Sequence, residues 1–181
     1  MKIALSAGHF PEEPGADYLG FIEHNEAVLW VERLSVLFGN LGDVVPTGHL
    51  EDKVAYIKNI RPSIALEVHF NSATDAAGNH IGKGCETLFC PGSVASMHVA
   101  EAVQGRLSRV MGKNRGVREG YYHEDPQQPV LYFLRELDKA DIPAIIIEPE
   151  FVHHYSRIQS KRNEACGAIF SAITDVLRGD F

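Results

Sequence analysis

Long hydrophobic runs are missing from this sequence of 181 residues. None approaches the ~18 consecutive apolar residues that a membrane-spanning helix needs, so we expect no insertion into a membrane. Internal repeats, low-complexity tracts and Ser/Gly-rich linkers are missing as well, which argues against a solenoid, a disordered chain or several tethered domains. Hydrophobic residues still make up 45% of the chain, which is enough for one ordinary core. The sequence therefore predicts a single domain spanning residues 1–181.

Cysteine is scarce, at three residues, which is too few for a closed disulfide framework. Cys85 and Cys90 fall on one predicted strand, and their odd spacing points the two side chains to opposite faces. We therefore expect neither a disulfide nor a shared metal ion between them. Cys166 falls on the apolar stripe of the last predicted helix, where a thiol packs as a small hydrophobic group. All three cysteines are predicted to be structural.

Positive charge is in deficit, with 17 Lys and Arg against 24 Asp and Glu, a net charge of −7. A surface of that sign repels phosphate backbones, so we expect no nucleic acid partner. It also gives no general attraction toward anionic membranes or wall polymers. The first residues enter a predicted strand without the apolar segment of a signal peptide, so no export signal is expected on the chain.

The sequence does contain a regular alternation of β-branched runs and amphipathic segments. Strands are predicted at 2–7, 43–46, 63–70, 85–90 and 144–148, and helices at 23–41, 50–60, 93–111, 130–140 and 157–178. The polar, Gly/Pro-punctuated stretch 112–129 is predicted to be a loop long enough to suspect a function. Its aromatic part, 118–128, either shapes a substrate groove or is a plain surface loop. Such alternation favours an α/β fold of the phosphorylase/hydrolase-like kind, with a mainly parallel twisted sheet flanked by helices on both faces.

Three polar residues stand at the ends of predicted strands. His9 follows the first, His69 follows the run Ile64 to Val68, and Glu148 ends the last strand. Ligands bind beyond the carboxyl ends of strands in open α/β sheets. A single strand-end histidine is more often structural, but three such residues on one sheet edge form a candidate site.

Glu23 is a fourth candidate, placed by helix geometry. At ~100° per residue, it lies within ~20° of the centre of its helix's apolar stripe, near Leu34, whereas His24 falls at the solvent or cleft rim. A carboxylate aimed inward needs a partner, although its place in the first helical turn is also explained by the helix dipole. With two histidines available, a His₂Glu zinc site explains it better. His153 and His154 remain rival ligands.

Six short segments carry a resemblance to one enzyme family. In chain order they are GHFPEEPGA at 8–16, GFIE at 20–23, VHFNS at 68–72, GCETLF at 84–89, NRGV at 114–117 and PAIIIE at 143–148. They occur in the family's order and span nearly the whole chain. On these motifs the sequence resembles the zinc-dependent N-acetylmuramoyl-L-alanine amidases of the Amidase_3 type.

The resemblance implies zinc (Zn2+) held by His9, Glu23 and His69, with Glu148 as the catalytic carboxylate. It implies peptidoglycan as substrate, cut between the lactyl group of muramic acid and L-Ala. Three positions depart from the pattern: Phe10 replaces a second Gly, Glu67 stands where Ser is common, and Glu150 follows Glu148 where Gly is usual. The last departure makes Glu150 a rival for the base, although the motif favours Glu148.

Other functions and settings remain open at this point. A zinc carboxypeptidase or deacylase of small acylated amino acids would use the same metal site, and a peptidoglycan-binding module would keep the fold without catalysis. Arg115 is a candidate for binding a stem-peptide carboxylate through its guanidinium fork. The expected place of action is the bacterial cell wall, reached as a phage lysin or as a wall amidase. The sequence gives no indication of oligomeric state.

Overall fold

A six-stranded sheet forms the centre of the computed structural model, which describes residues 1–179. Its strands are β1 (Ile3–Ala7), β4 (Gly42–Val44), β5 (Ile64–Val68), β6 (Cys85–Phe89), β7 (Asn114–Glu119) and β8 (Ala144–Glu148). They are ordered β4-β1-β5-β8-β6-β7. Every neighbouring pair is parallel except β6 and β8. A short hairpin, β2 (Asp17–Tyr18) and β3 (Phe21–Ile22), lies outside this sheet.

Helices cover both faces of the sheet. They are α1 (Glu23–Phe38), α2 (Leu50–Ile60), α3 (Val94–Met111), α4 (Tyr132–Asp138) and α5 (Tyr155–Arg178). Helices α1, α3 and α5 bury their apolar stripes in one core on one face, and α2 and α4 bury theirs in a second core on the other. Strands β1, β5 and β8 are buried over almost their whole length because both faces of the sheet are covered. The predicted α/β fold is confirmed.

The stretch 112–129 differs from its prediction as a loop. Its first part is β7, which pairs in parallel with β6 at the edge of the sheet. The strand reads NRGVRE and is only half-buried, so it lacks the apolar alternation by which a strand is recognised. Charged residues on an edge strand also discourage pairing with other chains.

The cysteines behave as predicted. Cys85, Cys90 and Cys166 are all buried and free. Cys85 belongs to the core under α1, α3 and α5, and Cys90 belongs to the core under α2 and α4. The two thiols therefore lie on opposite sides of the sheet.

Three parallel strands end together at one edge of the sheet. Ala7 pairs with Val68, and Val68 pairs with Ile147, so the residues that follow each strand share one edge. Strand β6 runs the other way, and Glu86 near its beginning lies beside Glu148. This edge therefore collects polar side chains from four strands. Within the described part of the chain, no helix is both long and apolar enough to cross a membrane.

Candidate metal and catalytic site

His9, Glu23 and His69 form one cluster at this edge. Nε2 of His9 lies 3.2 Å from Oε2 of Glu23, and Nδ1 of His69 lies 3.1 Å from Oε1 of the same carboxylate. One donor atom from each residue falls within 4.8 Å of the others, and no other group of three or more His, Cys, Asp or Glu in residues 1–179 meets this condition. Tetrahedral zinc with bonds of ~2.0–2.1 Å separates neighbouring ligand atoms by about 3.3 Å. The donor set fits a zinc ion, and the two distances from the histidines to the Glu23 carboxylate are close to this separation.

Two glycines make room for this cluster. A Cβ on Gly8 would lie 2.6 Å from the His69 ring, and a Cβ on Gly15 would lie 2.5 Å from the His9 ring and 2.6 Å from the Glu23 carboxylate. Gly15 also has a φ of +79°, which other residues adopt only with strain. His9 itself has a positive φ of 59°. At Gly8 and Gly15 the backbone of the loop after β1 thus lies closer to the side chains of the cluster than a residue with a Cβ would permit.

Glu23 is held as a carboxylate. It is 4% exposed, and its oxygens accept hydrogen bonds from the backbone N–H of Ala16 and Phe70, each at 3.0 Å. Burial alone would raise its pKa, but the interactions with His69 and then His9 outweigh burial and lower the pKa well below its usual range. The helix dipole alone therefore does not explain Glu23 in the first turn of α1, because its side chain also forms hydrogen bonds with two loops.

Glu67 contacts the other side of the His69 ring, with Oε2 3.2 Å from Nε2. Glu67 lies inside β5 and is 2% exposed. Its second oxygen accepts from Ser6 Oγ at 3.0 Å and lies 3.5 Å from Lys53 Nζ. Burial would lower the pKa of His69, but Glu23 and Glu67 together raise it to about 10 in the metal-free chain.

Glu148 and Glu150 have different surroundings. Oε2 of Glu148 is buried and accepts no hydrogen bond from any of the described residues. Burial, reinforced by the Glu23 and Glu86 carboxylates, raises the pKa of Glu148 to about 8. Oε1 of Glu150, by contrast, accepts from the backbone N–H of Gly84 at 2.5 Å and of Phe151 at 3.0 Å.

Two cavities meet at Glu148. The metal-side cavity, of about 360 Å3, is lined by His9, Phe10, Glu13, Leu50, Lys53, Glu67, His69, Tyr122, Leu131, Tyr132, Phe133, Ile146 and Glu148. The polar cavity, of about 440 Å3, is lined by Asn71, Glu86, Leu88, Arg118, Glu119, Tyr121, His123, Pro126, Leu131 and Glu148. The Glu148 carboxylate thus lies on the boundary between the metal-side cavity, which is largely apolar and contains the two histidines, and the polar cavity, which contains several charged side chains.

Glu86 organises the polar cavity. It is 2% exposed, and its oxygens contact Asn71 Nδ2 at 2.6 Å, Arg115 Nε at 3.1 Å and Arg118 Nη1 at 3.2 Å. Both guanidinium groups are therefore directed toward a buried carboxylate of the chain itself. The stretch 118–128 does shape a groove, because Arg118, Tyr121, Tyr122, His123 and Pro126 line the two cavities.

The structure brings His9, Glu23, His69 and Glu148 to one sheet edge, as the sequence predicts. The rival ligands do not join them: His153 and His154 pack against each other and His153 packs against His80, with ring centroids 4.2 and 5.8 Å apart. The prediction for His24 is wrong. It is 4% exposed and its Nδ1 lies 2.8 Å from the Gly8 carbonyl oxygen, because the loop after β1 folds over the start of α1.

Lys53 and Glu67 were missed as neighbours of the site, although the sequence carries a signal for each. Lys53 lies on the apolar stripe of α2, three residues after Leu50 and four before Ile57, where a charge needs a buried partner. Glu67 interrupts the apolar run of β5. Two opposite charges, each in the middle of a buried face, indicate an ion pair.

A family model and several solved structures are similar to this chain. A family model described as N-acetylmuramoyl-L-alanine amidase (Amidase_3) matches residues 3–176, whereas no curated protein sequence matches. Similar solved structures include the CwlD amidase from Clostridioides difficile in complex with the GerS lipoprotein, with 19% identity, a TM-score of 0.81 and 98% of each chain covered. The catalytic domain of the CD27L endolysin, which targets Clostridia difficile, has 21% identity, a TM-score of 0.72 and 97% coverage of each chain. At such identities the structural likeness shows the fold.

Proposed function

The chain belongs to the N-acetylmuramoyl-L-alanine amidase family, and we propose that it is a zinc-dependent enzyme that hydrolyses the amide bond between muramic acid and L-Ala in peptidoglycan. The observation that carries the proposal is the cluster of His9, Glu23 and His69. Its two histidines line the metal-side cavity together with Glu148, whose Oε2 accepts no hydrogen bond from the described residues. Since peptidoglycan lies outside the cytoplasmic membrane, the place of action is the bacterial cell wall.

His9, Glu23 and His69 hold the metal in this proposal. Two imidazoles and one carboxylate are the His₂Glu set that leaves one coordination position open in catalytic zinc sites. When bound there, zinc supplies Lewis acidity to the scissile carbonyl group and makes water a stronger acid. The two backbone N–H groups that bond to Glu23 fix the carboxylate before the metal arrives, so little reorganisation is needed on binding.

Glu148 is the proton carrier. Its free oxygen accepts a proton from the attacking water and delivers it to the nitrogen of L-Ala as the carbon–nitrogen bond breaks. The products are the free lactyl carboxylate of muramic acid and a new amino terminus on the stem peptide. We assign this role to Glu148 rather than Glu150, because Oε1 of Glu150 accepts from two backbone donors and Glu150 lines neither cavity.

Product analysis tests the proposal directly. Purified peptidoglycan is digested with the zinc-loaded chain and with Glu148→Gln, and new amino termini and new reducing sugar ends are both quantified. We expect new L-Ala amino termini without new reducing ends, and neither from the variant. If the zinc-loaded chain leaves peptidoglycan intact but releases amino acids from small peptides or acylated amino acids, the substrate is wrong and the carboxypeptidase or deacylase hypothesis replaces it. Binding without any cleavage would favour the non-catalytic module.

A further inference from the structure

Lys53 reaches the site from the opposite face of the sheet to α1. It lies on α2 and is 3% exposed, and its ammonium donates to the carbonyl oxygens of Ala7 at 2.5 Å and His9 at 2.7 Å. A third contact, at 3.5 Å, is with Oε1 of Glu67. The three contacts thus go to His9 itself and to the residues two positions before His9 and His69.

Glu67 completes the connection. Its Oε1 faces Lys53 and accepts from Ser6, while its Oε2 lies 3.2 Å from Nε2 of His69. In the neutral ring that a metal ion binds, a carboxylate at Nε2 accepts the remaining ring proton and leaves the lone pair of Nδ1 for the metal. Nδ1 is the nitrogen that faces Glu23. One chain of contacts therefore runs from the His9 carbonyl through Lys53 and Glu67 to the His69 ring.

We propose that Lys53 and Glu67 are positioning residues for the metal: Lys53 holds the backbone of His9, and Glu67 fixes the ring orientation and tautomer of His69. The inference rests on the zinc site proposed above. It concerns two residues that line the metal-side cavity but are not among the three proposed metal ligands.

Energetics argue against a purely structural role for the pair. Burying two opposite charges costs about as much as their attraction returns, and apolar residues of similar volume in their place are often neutral or stabilising. Lys53 also bonds to the carbonyl oxygen of His9, a residue with a positive φ of 59°, which is a strained conformation for a residue other than glycine. Both features are explained if the pair serves to fix the donor atoms.

The test replaces the whole pair and measures metal binding apart from folding. In Lys53→Met/Glu67→Met both charges disappear together, so neither is left buried alone. We expect the metal-free double variant to unfold at the wild-type temperature or above, and to bind zinc about 10–100-fold more weakly in a chelator competition, the usual effect of removing a partner behind a metal-binding histidine. With cobalt in place of zinc, the visible absorption spectrum should shift because the His69 ring is no longer fixed.

A matched control exists on the same helix. Lys58 Nζ lies 3.2 Å from Glu136 Oε2, a lysine–glutamate pair between α2 and α4 away from the histidines. Lys58→Met/Glu136→Met should keep wild-type zinc affinity. If the Lys53/Glu67 double variant does not fold, Glu67→Gln is measured in its place, and it too should bind zinc more weakly because an amide orients the imidazole less firmly than a carboxylate.

The outcomes separate this inference from the proposed function. Wild-type zinc affinity in a folded Lys53/Glu67 variant, or a loss of stability with unchanged affinity, would overturn the positioning role even if the wild type cleaves peptidoglycan. A wild type that does not bind zinc would overturn the proposed function itself. Weaker zinc binding with retained stability supports the inference whatever the substrate proves to be.

Discussion

Glu148 and Glu150 are two residues apart at the same end of β8, yet only Glu150 has its carboxylate bonded to the backbone. Gly84 and Phe151 both donate to Oε1 of Glu150, whereas Oε2 of Glu148 is buried with no hydrogen-bond partner in residues 1–179. A buried polar atom without a partner is costly to the fold. Such an atom at the border of two cavities is therefore explained better by catalysis than by stability.

The two glutamates should respond differently to amide substitution. Glu148→Gln should lower the rate of peptidoglycan hydrolysis by ~10²–10⁴ while zinc binding is retained, because an amide cannot carry the proton. Glu150→Gln should keep the rate within about threefold, since Gln still offers an oxygen to Gly84 and Phe151. Amide hydrolysis and zinc content are measured on both variants. A dead Glu150→Gln beside an active Glu148→Gln would exchange the two assignments.

Stability should depend on pH through Glu148. In the metal-free chain the pKa of Glu148 is raised by burial from 4.5 to about 8, so the folded state holds this proton more tightly than the unfolded state. The wild type therefore loses stability as pH rises from 4.5 towards 8. Glu148→Gln escapes this loss and should gain at least about 1 kcal/mol over the wild type between pH 5 and pH 8.

Urea unfolding in the presence of a chelator measures that difference at each pH. Titrating groups that do not interact with Glu148 cancel in the comparison, so the pH-dependent difference reports Glu148 and the charged groups coupled to it. A difference in unfolding free energy that stays constant from pH 5 to pH 8 would mean that Glu148 is already ionised at pH 5.

Gly15→Ala should abolish metal binding in a folded protein. The new Cβ would lie 2.5–2.6 Å from the His9 ring and the Glu23 carboxylate, so the donor atoms must move apart. Gly20→Ala is the matched control, because Gly20 has a similar φ of +83° with no atom within 4 Å of the added Cβ. Both variants should lose ~1 kcal/mol from the backbone, measured by thermal unfolding, but only Gly15→Ala should lose zinc. Equal zinc affinity in the two would show that the loop adapts.

Zinc should stabilise the fold through the three proposed ligands. At free zinc 100-fold above the dissociation constant the gain is about 2.7 kcal/mol, which for a chain of this length raises Tm by ~5–10 °C. A chelator should remove the shift, and His9→Ala and His69→Ala should not show it. His98→Ala, at an exposed position on α3, is the control and should respond like the wild type. An unchanged shift in His69→Ala would place the metal elsewhere.

Local patterns were sufficient for most of the fold. The bounds of α2 and β8 match their prediction residue for residue, since each is a short apolar pattern with a clear beginning and end. The polar strand β7 was not predicted, because it lies at the edge of the sheet and is only half-buried. Such a strand does not need alternating apolar residues. Its pairing depends on β6, almost thirty positions earlier in the chain.

The sequence by itself determined the strand–helix order and the candidate site residues. Their positions at strand ends predicted that His9, His69 and Glu148 lie at one edge of the sheet. Helix periodicity predicted that the side chain of Glu23 points toward the core. These predictions succeed because strand ends and helical angles are set by a few neighbouring residues.

Only the tertiary structure decided which of these groups are bonded and to what. The carboxylate of Glu150 is engaged by Gly84, 66 positions away, and His9 is held by Lys53, 44 positions away. His24, placed at the rim by its helical angle, is buried by the loop that crosses it. Hydrogen-bond partners, burial and the pKa of Glu148 all depend on contacts between segments that are distant in sequence. These contacts form only when the sheet is assembled, so the periodicity of the sequence does not predict them.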